Sequence, residues 1–135
     1  MRYFVSGHRD LTMEEFDRHY VYQLDRVLAE DPYAEFVVGD WEGCDTIFVK
    51  YMEEYYTDVT IHIFYVSSPR IEEGEFNEYN FHGCESYDDC DEEILDIFFK
   101  IIKHQIPDFE WKIRDLEEET LSILHGRGYG FVCYP

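Results

Sequence analysis

The chain has 135 residues, a formal net charge of −20, a hydrophobic share of 45% and an aromatic share of 19%. That length fits one domain able to bury its own core, and that apolar content excludes a disordered acidic chain. With 11 Lys and Arg against 31 Asp and Glu, there is little basic surface to release counterions from phosphates, so nucleic acid and anionic membrane surfaces are excluded as partners.

Self-repulsion opposes compaction, so the charge needs a reason. A soluble acidic surface is the plain one; a basic protein partner, DNA mimicry or a high-salt host are the others, and the many Tyr, Phe and Ile fit the last poorly. A homo-oligomer also stays open. Arg2 to Gly7 is too short an apolar run for a signal peptide, and no segment is long enough to span a membrane. The four cysteines, Cys44, Cys84, Cys90 and Cys133, contain no CxxC. The expectation is a cytoplasmic chain with reduced thiols.

Tyr3 to Ser6 is a short apolar run ending at Gly7 and predicts a buried first strand. Thr12 followed by Glu15 is a capping box, in which each side chain satisfies a free backbone N–H at the other's position. Phe16, Tyr20, Leu24, Val27 and Leu28 recur at helical spacing, and Asp31-Pro32 stops that helix. Glu35 to Val38 reads as a second strand ending at Gly39. A second helix starts near Gly43 to Asp45 and runs to about Tyr55, with Ile47, Phe48, Tyr51, Met52 and Tyr55 apolar. Val59 to Val66 is a third strand. This alternation predicts parallel pairing with right-handed crossovers: an α/β fold with a three-layer Rossmann-like parallel sheet and helices on both faces.

The second half is less regular. Ser67-Ser68-Pro69-Arg70 is a loop, and the acidic stretch at about 72–93 is rich in turn formers and predicts a loop or lid. Asp91 to Gln105 and Asp115 to Leu124 read as helices, Phe109 to Ile113 as a strand, and "FVCYP" as the last strand. No repeat or linker divides the chain, so residues 1–135 form one domain.

The two glycine turns carry the functional argument. Ligands of a parallel sheet bind outside the carboxyl ends of its strands, and the free N–H groups of a following helix make an anion site. Gly7 and Gly39 stand at such ends. Gly43 lets backbone approach a phosphate or ribose, and Arg9, beside His8, offers a bidentate cation. Asp40 and Asp45 are acceptors suited to ribose hydroxyls, with Asp45 equally a helix cap. Trp41 either stacks on a base or packs beside the turn. Cys44 sits where a helix N-terminus lowers a thiol pKa. Ser67 and Arg70, at the third strand's end, complete the candidate ligand-binding set. Each glycine also has the plain reading of a tight turn.

"MRYFVSGHRDLTMEEF", "AEFVVGDWEGCDTIFVKYM" and "VTIHIFYVSSPR", over residues 1–70, resemble the SLOG superfamily and, more narrowly, its YpsA-related branch of small Rossmann-like proteins. The resemblance rests on Gly7-His8-Arg9-Asp10 and on the Gly39-to-Asp45 segment, each between a strand and a helix. It implies a pocket for nucleotides or nucleotide-derived molecules such as NAD fragments or ADP-ribose-like signals. The Gly-Gly-x-Gly-Thr-x-x-Glu stretch of the enzymatic relatives that release cytokinin bases is missing here. Binding or sensing is therefore expected over catalysis, with no cofactor and no assigned catalytic residue. The alternatives are an N-glycosidic bond enzyme using Asp40, Glu42 or Asp45, and an acidic interaction module. His82, Cys84 and Cys90 are too loosely spaced for a zinc site, and the acidic run at 88–93 caps a helix in preference to holding a cation. No metal is expected.

Overall fold

The computed structural model describes residues 2–90 and 93–94 and the backbone of 129–132. The expected helices beyond residue 94 and the strand at 109–113 lie outside the described residues. The described residues include, in chain order, β1 (Arg2–Val5), α1 (Met13–His19), α2 (Val21–Glu30), β2 (Glu35–Val38), α3 (Cys44–Tyr55), β3 (Thr60–Val66), β4 (Glu78–Cys84) and β5 (Tyr129–Val132). The strands form one sheet in the order β4-β3-β2-β1-β5. Every pairing is parallel: Tyr3 stands opposite Phe36, Ile61 opposite Phe36 and Tyr79, and Phe4 opposite Phe131. The fold is α/β.

Side chains alternate across the sheet. Val5, Phe36, Val38, Ile61, Ile63 and Tyr79 share one buried cluster with Phe16, Tyr20, Leu24, Phe48 and Met52 of the helices. Phe4, Val37 and Phe64, at the alternate positions, are buried as well. Burial on both faces is what a parallel sheet demands, and it explains why the strands read as near-continuous apolar runs.

The first expected helix is two. The capping box forms: the Glu15 N–H donates to Thr12 Oγ1 at 3.2 Å, and the Thr12 N–H to Glu15 Oε1 at 3.3 Å. The helix then breaks at Tyr20. There the Gln23 side-chain amide donates to the His19 carbonyl at 2.7 Å, a side chain taking the acceptor that the backbone ladder would otherwise use. The break turns Tyr20 under the sheet edge, where its hydroxyl donates to the Ser6 carbonyl at 2.7 Å. Apolar spacing alone runs straight through this point.

The expected loop at about 72–93 needs correcting over Glu78–Cys84, which forms β4 beside β3. Tyr79 and Phe81 supply the inward positions, while Glu78, Asn80 and Gly83 made the segment read as a loop. The connection from β3 to β4 is pinned to α3 by one carboxylate. Glu53 accepts from the Phe76 N–H at 2.7 Å, from Asn77 Nδ2 at 3.1 Å and from the Tyr79 hydroxyl. These bonds hold its carboxyl below the usual range against the opposing effect of burial.

Candidate functional site

Four loops meet at the carboxyl edge of the sheet, each following a strand from β1 to β4. The first two touch backbone to backbone. Gly43 has φ +78°, a region that favours glycine, and a Cβ there would overlap the carbonyls of Arg9 and His8. The Cys44 N–H, the first of α3, donates to the His8 carbonyl at 3.2 Å. A Cβ on Gly7 would overlap the Tyr20 hydroxyl and Cys44, and one on Gly39 would lie 2.9 Å from Asp45 Oδ2. The three glycines serve the approach of loop to loop. Cys44 is buried beneath them.

The two aspartates are engaged with backbone. Asp40 accepts from the Arg70 N–H at 2.7 Å through one oxygen and from the Ile71 N–H at 2.9 Å through the other. It therefore ties the loop after β3 to the loop after β2. Asp45 Oδ2 accepts from the Trp41 N–H at 3.0 Å, and Thr46 Oγ1 donates to the Trp41 carbonyl at 2.9 Å. The backbone of Trp41 is held on both sides by the first turn of α3.

What this framework presents is a cleft of about 560 Å³ lined by His8, Arg9, Asp10 and Trp41. The Arg9 guanidinium carbon lies 5.7 Å from the centre of the Trp41 ring, and that of Arg70 lies 5.1 Å from it. Both distances are within the range of cation–π attraction. Arg70 Nη1 also stands 3.5 Å from Glu42 Oε1, an exposed pair of little energetic weight. The Tyr87 ring meets Trp41 edge-on, with centroids 4.5 Å apart and planes at 80°.

Of the sequence candidates, His8, Arg9, Trp41 and Arg70 are brought together in or beside the cleft. Gly7, Gly39, Asp40, Gly43, Cys44 and Asp45 form the frame beneath. Ser67 makes a tight turn at the end of β3: its φ is +66°, and the Ser68 N–H donates to the Val66 carbonyl at 2.9 Å. Two contributors were not singled out from the sequence. Asp10 closes the Gly-His-Arg-Asp turn, and nothing in that spacing marks it as part of the cleft lining. Tyr87 sits in the segment read as a loop, and nothing in its spacing ties it to Trp41.

The expectation of reduced thiols also changes. Cys84 and Cys90 are joined as a disulfide, with Cα atoms 5.5 Å apart. It closes the turn between the end of β4 and a helical turn at 87–90, whose start is capped by Ser86: its Oγ accepts the Asp89 N–H at 3.1 Å. The helix that the acidic run was expected to cap lies largely outside the described residues. Among the described residues, no three His, Cys, Asp or Glu side chains are grouped to hold a metal ion. No helix among them is long and apolar enough to cross a membrane. No protein-family model, curated protein or solved structure matches the chain.

Proposed function

We propose that the chain binds a nucleotide or nucleotide-derived molecule of the NAD or ADP-ribose kind in this cleft, acting in the cytoplasm as a sensor or sequestering protein. The observation that carries the reading is the convergence of Arg9 and Arg70 on Trp41 at the carboxyl edge of a parallel sheet. A guanidinium fork matches phosphate oxygens, and an indole offers a flat face to a base. In a chain of net charge −20, two of the 11 Lys and Arg meet at one aromatic ring, with Asp10 and Glu42 beside them. The cleft volume falls in the range of roughly 300–1,000 Å³ usual for small-molecule sites.

Two further observations support the SLOG-like reading. The Gly7–Asp10 and Gly39–Asp45 segments lie against each other at one sheet edge. The burial of Phe4, Val37 and Phe64 on the face away from α1, α2 and α3 supports a three-layer Rossmann-like domain. Binding is favoured over N-glycosidic cleavage because Asp40 and Asp45 already accept backbone N–H groups. Those bonds take up carboxylate oxygens that a nucleophile or base would need free.

The test is calorimetric titration of ADP-ribose, NAD, AMP and inorganic phosphate. Arg9→Ala and Arg70→Ala should each weaken the best ligand by about 10- to 100-fold, the size of a charge-assisted hydrogen bond. The bound molecule should be recovered unchanged; release of free base would overturn the binder in favour of the enzyme.

A further inference from the structure

We infer that the Cys84–Cys90 disulfide is a redox clasp that holds Tyr87 against Trp41 and so sets the shape of the candidate cleft. The inference rests on the reading of that cleft as a ligand site. Tyr87 lies inside the small ring closed by the two cysteines, and its side chain leaves that ring to meet Trp41 edge-on at 4.5 Å. Tyr87 is otherwise exposed, with 49% of its surface open. Among the described residues, the turn is held by the disulfide, the Ser86 cap, the Cys90 N–H to the Ser86 carbonyl at 3.0 Å, the Tyr87–Trp41 contact, and the buried Cys90 sulfur, which lies 3.6 Å from the Tyr65 carbonyl at the end of β3. Both backbone bonds are local to the turn. The disulfide is the covalent link that ties it back to the end of β4, and through β4 to the sheet that carries Trp41 on β2's loop.

The chemistry is two-electron thiol–disulfide exchange with a dithiol reductant. One reductant thiolate attacks Cys84 Sγ, the more accessible sulfur, since Cys90 is buried. The S–S bond breaks and Cys90 leaves as a thiolate that takes a proton. The second reductant thiol then displaces Cys84 from the mixed disulfide, leaving two protein thiols and a cyclic oxidised reductant. In a reducing compartment, a disulfide of this kind is characteristically transient. The consequence at the cleft is mechanical. Oxidised, the turn holds Tyr87 on the indole and fixes its orientation for a ligand ring; reduced, Tyr87 leaves and the indole loses that support.

The experiment uses the full chain with Trp111→Phe, so that Trp41 is the remaining tryptophan. Trp41 emission and its quenching by acrylamide are measured in the oxidised protein, after a dithiol, and after reoxidation, with circular dichroism monitoring the fold. Alkylation and mass spectrometry score the state of Cys84 and Cys90. Reduction should raise the quenching of Trp41 reversibly, and Tyr87→Ala should show the raised value in both redox states. ADP-ribose affinity should fall about 2- to 10-fold on reduction, the size of one aromatic pair, and this change should vanish in Tyr87→Ala. Equal quenching of the oxidised and reduced proteins would overturn the clasp. So would a redox effect that survives in Tyr87→Ala, or alkylation of both cysteines without any reductant. If ADP-ribose binds in neither state, the ligand reading fails by itself, and the quenching comparison still decides the clasp.

Discussion

Gly43 illustrates how much of the site depends on single positions. Its φ of +78° strains any other residue, and a Cβ would strike the Arg9 and His8 carbonyls, which are backbone and cannot swing aside. Gly43→Ala should therefore lower stability by about 3 kcal/mol or more, combining backbone strain with the forced separation of two loops. Urea unfolding would measure it; a loss below about 1 kcal/mol would mean the loops part easily. Asp40 makes a different kind of prediction. Its two bonds to the Arg70 and Ile71 N–H groups assign it to the frame. Asp40→Ala should cost about 1.5–3 kcal/mol of stability, and Asp40→Asn should restore part, since the amide keeps one acceptor oxygen. A variant that melts like wild type would return Asp40 to the ligand. Arg9 and Trp41 were legible in the sequence because a cation and an aromatic beside glycine turns carry their own chemistry. The role of Asp40 was not, because its partners are backbone groups of a loop that only the fold brings near.

At the scale of elements, the Thr12–Glu15 box is a feature that sequence and structure share in full. Thr12→Ala should destabilise by about 1 kcal/mol, read as a shift of the unfolding midpoint, with no change in ligand affinity. Equal midpoints would show that α1 is held by Phe16 and Tyr20 packing alone. β2, α3 and β3 were read to within a residue, since each combines a strong period with a glycine or turn at its end. The break at Tyr20 was not, because Phe16, Tyr20 and Leu24 keep one face buried whether the helix bends or not. β4 was hidden for another reason. Its alternation of Tyr79 and Phe81 with Glu78, Asn80 and His82 is a genuine period of two, but Asn and Gly inside it resemble a turn. Its place in the sheet is fixed from outside by the Glu53 clamp.

For the whole molecule, the charge of −20 and the parallel sheet set two expectations. One concerns pH. On the sheet face carrying Phe4 and Phe64, Arg2 Nε donates to Glu35 Oε2 at 3.0 Å, Glu35 Oε1 lies 3.7 Å from His62 Nε2, and the His62 and His82 rings meet at 3.3 Å. Burial lowers the His62 pKa from 6.5; Glu35 opposes this, while His82 and Arg2 reinforce it. The unfolded chain then takes up this proton first, so stability is full above about pH 6.5 and declines as pH falls through the folded value. Because general acid titration affects any variant alike, the comparison is with His62→Gln: from pH 7.5 to 5.5 the wild type should lose more stability than the variant. Parallel curves would show that His62 is indifferent to folding. The sheet's first three strands and their order of appearance were readable, as was the edge where the two glycine turns would meet. The contact of Tyr87 with Trp41 was not, since a residue's reach across a sheet edge leaves no trace in local spacing. The central claim is that Arg9, Arg70 and Trp41 form one ligand site, and it is tested most directly by calorimetric titration of ADP-ribose into wild type, Arg9→Ala, Arg70→Ala and Trp41→Ala. The account predicts saturable one-to-one binding by wild type and a loss of about 10-fold or more in each arginine variant, with Trp41→Ala also weakened. Equal affinity in all four proteins, or no binding of ADP-ribose, NAD, AMP or phosphate by folded wild type, would contradict it.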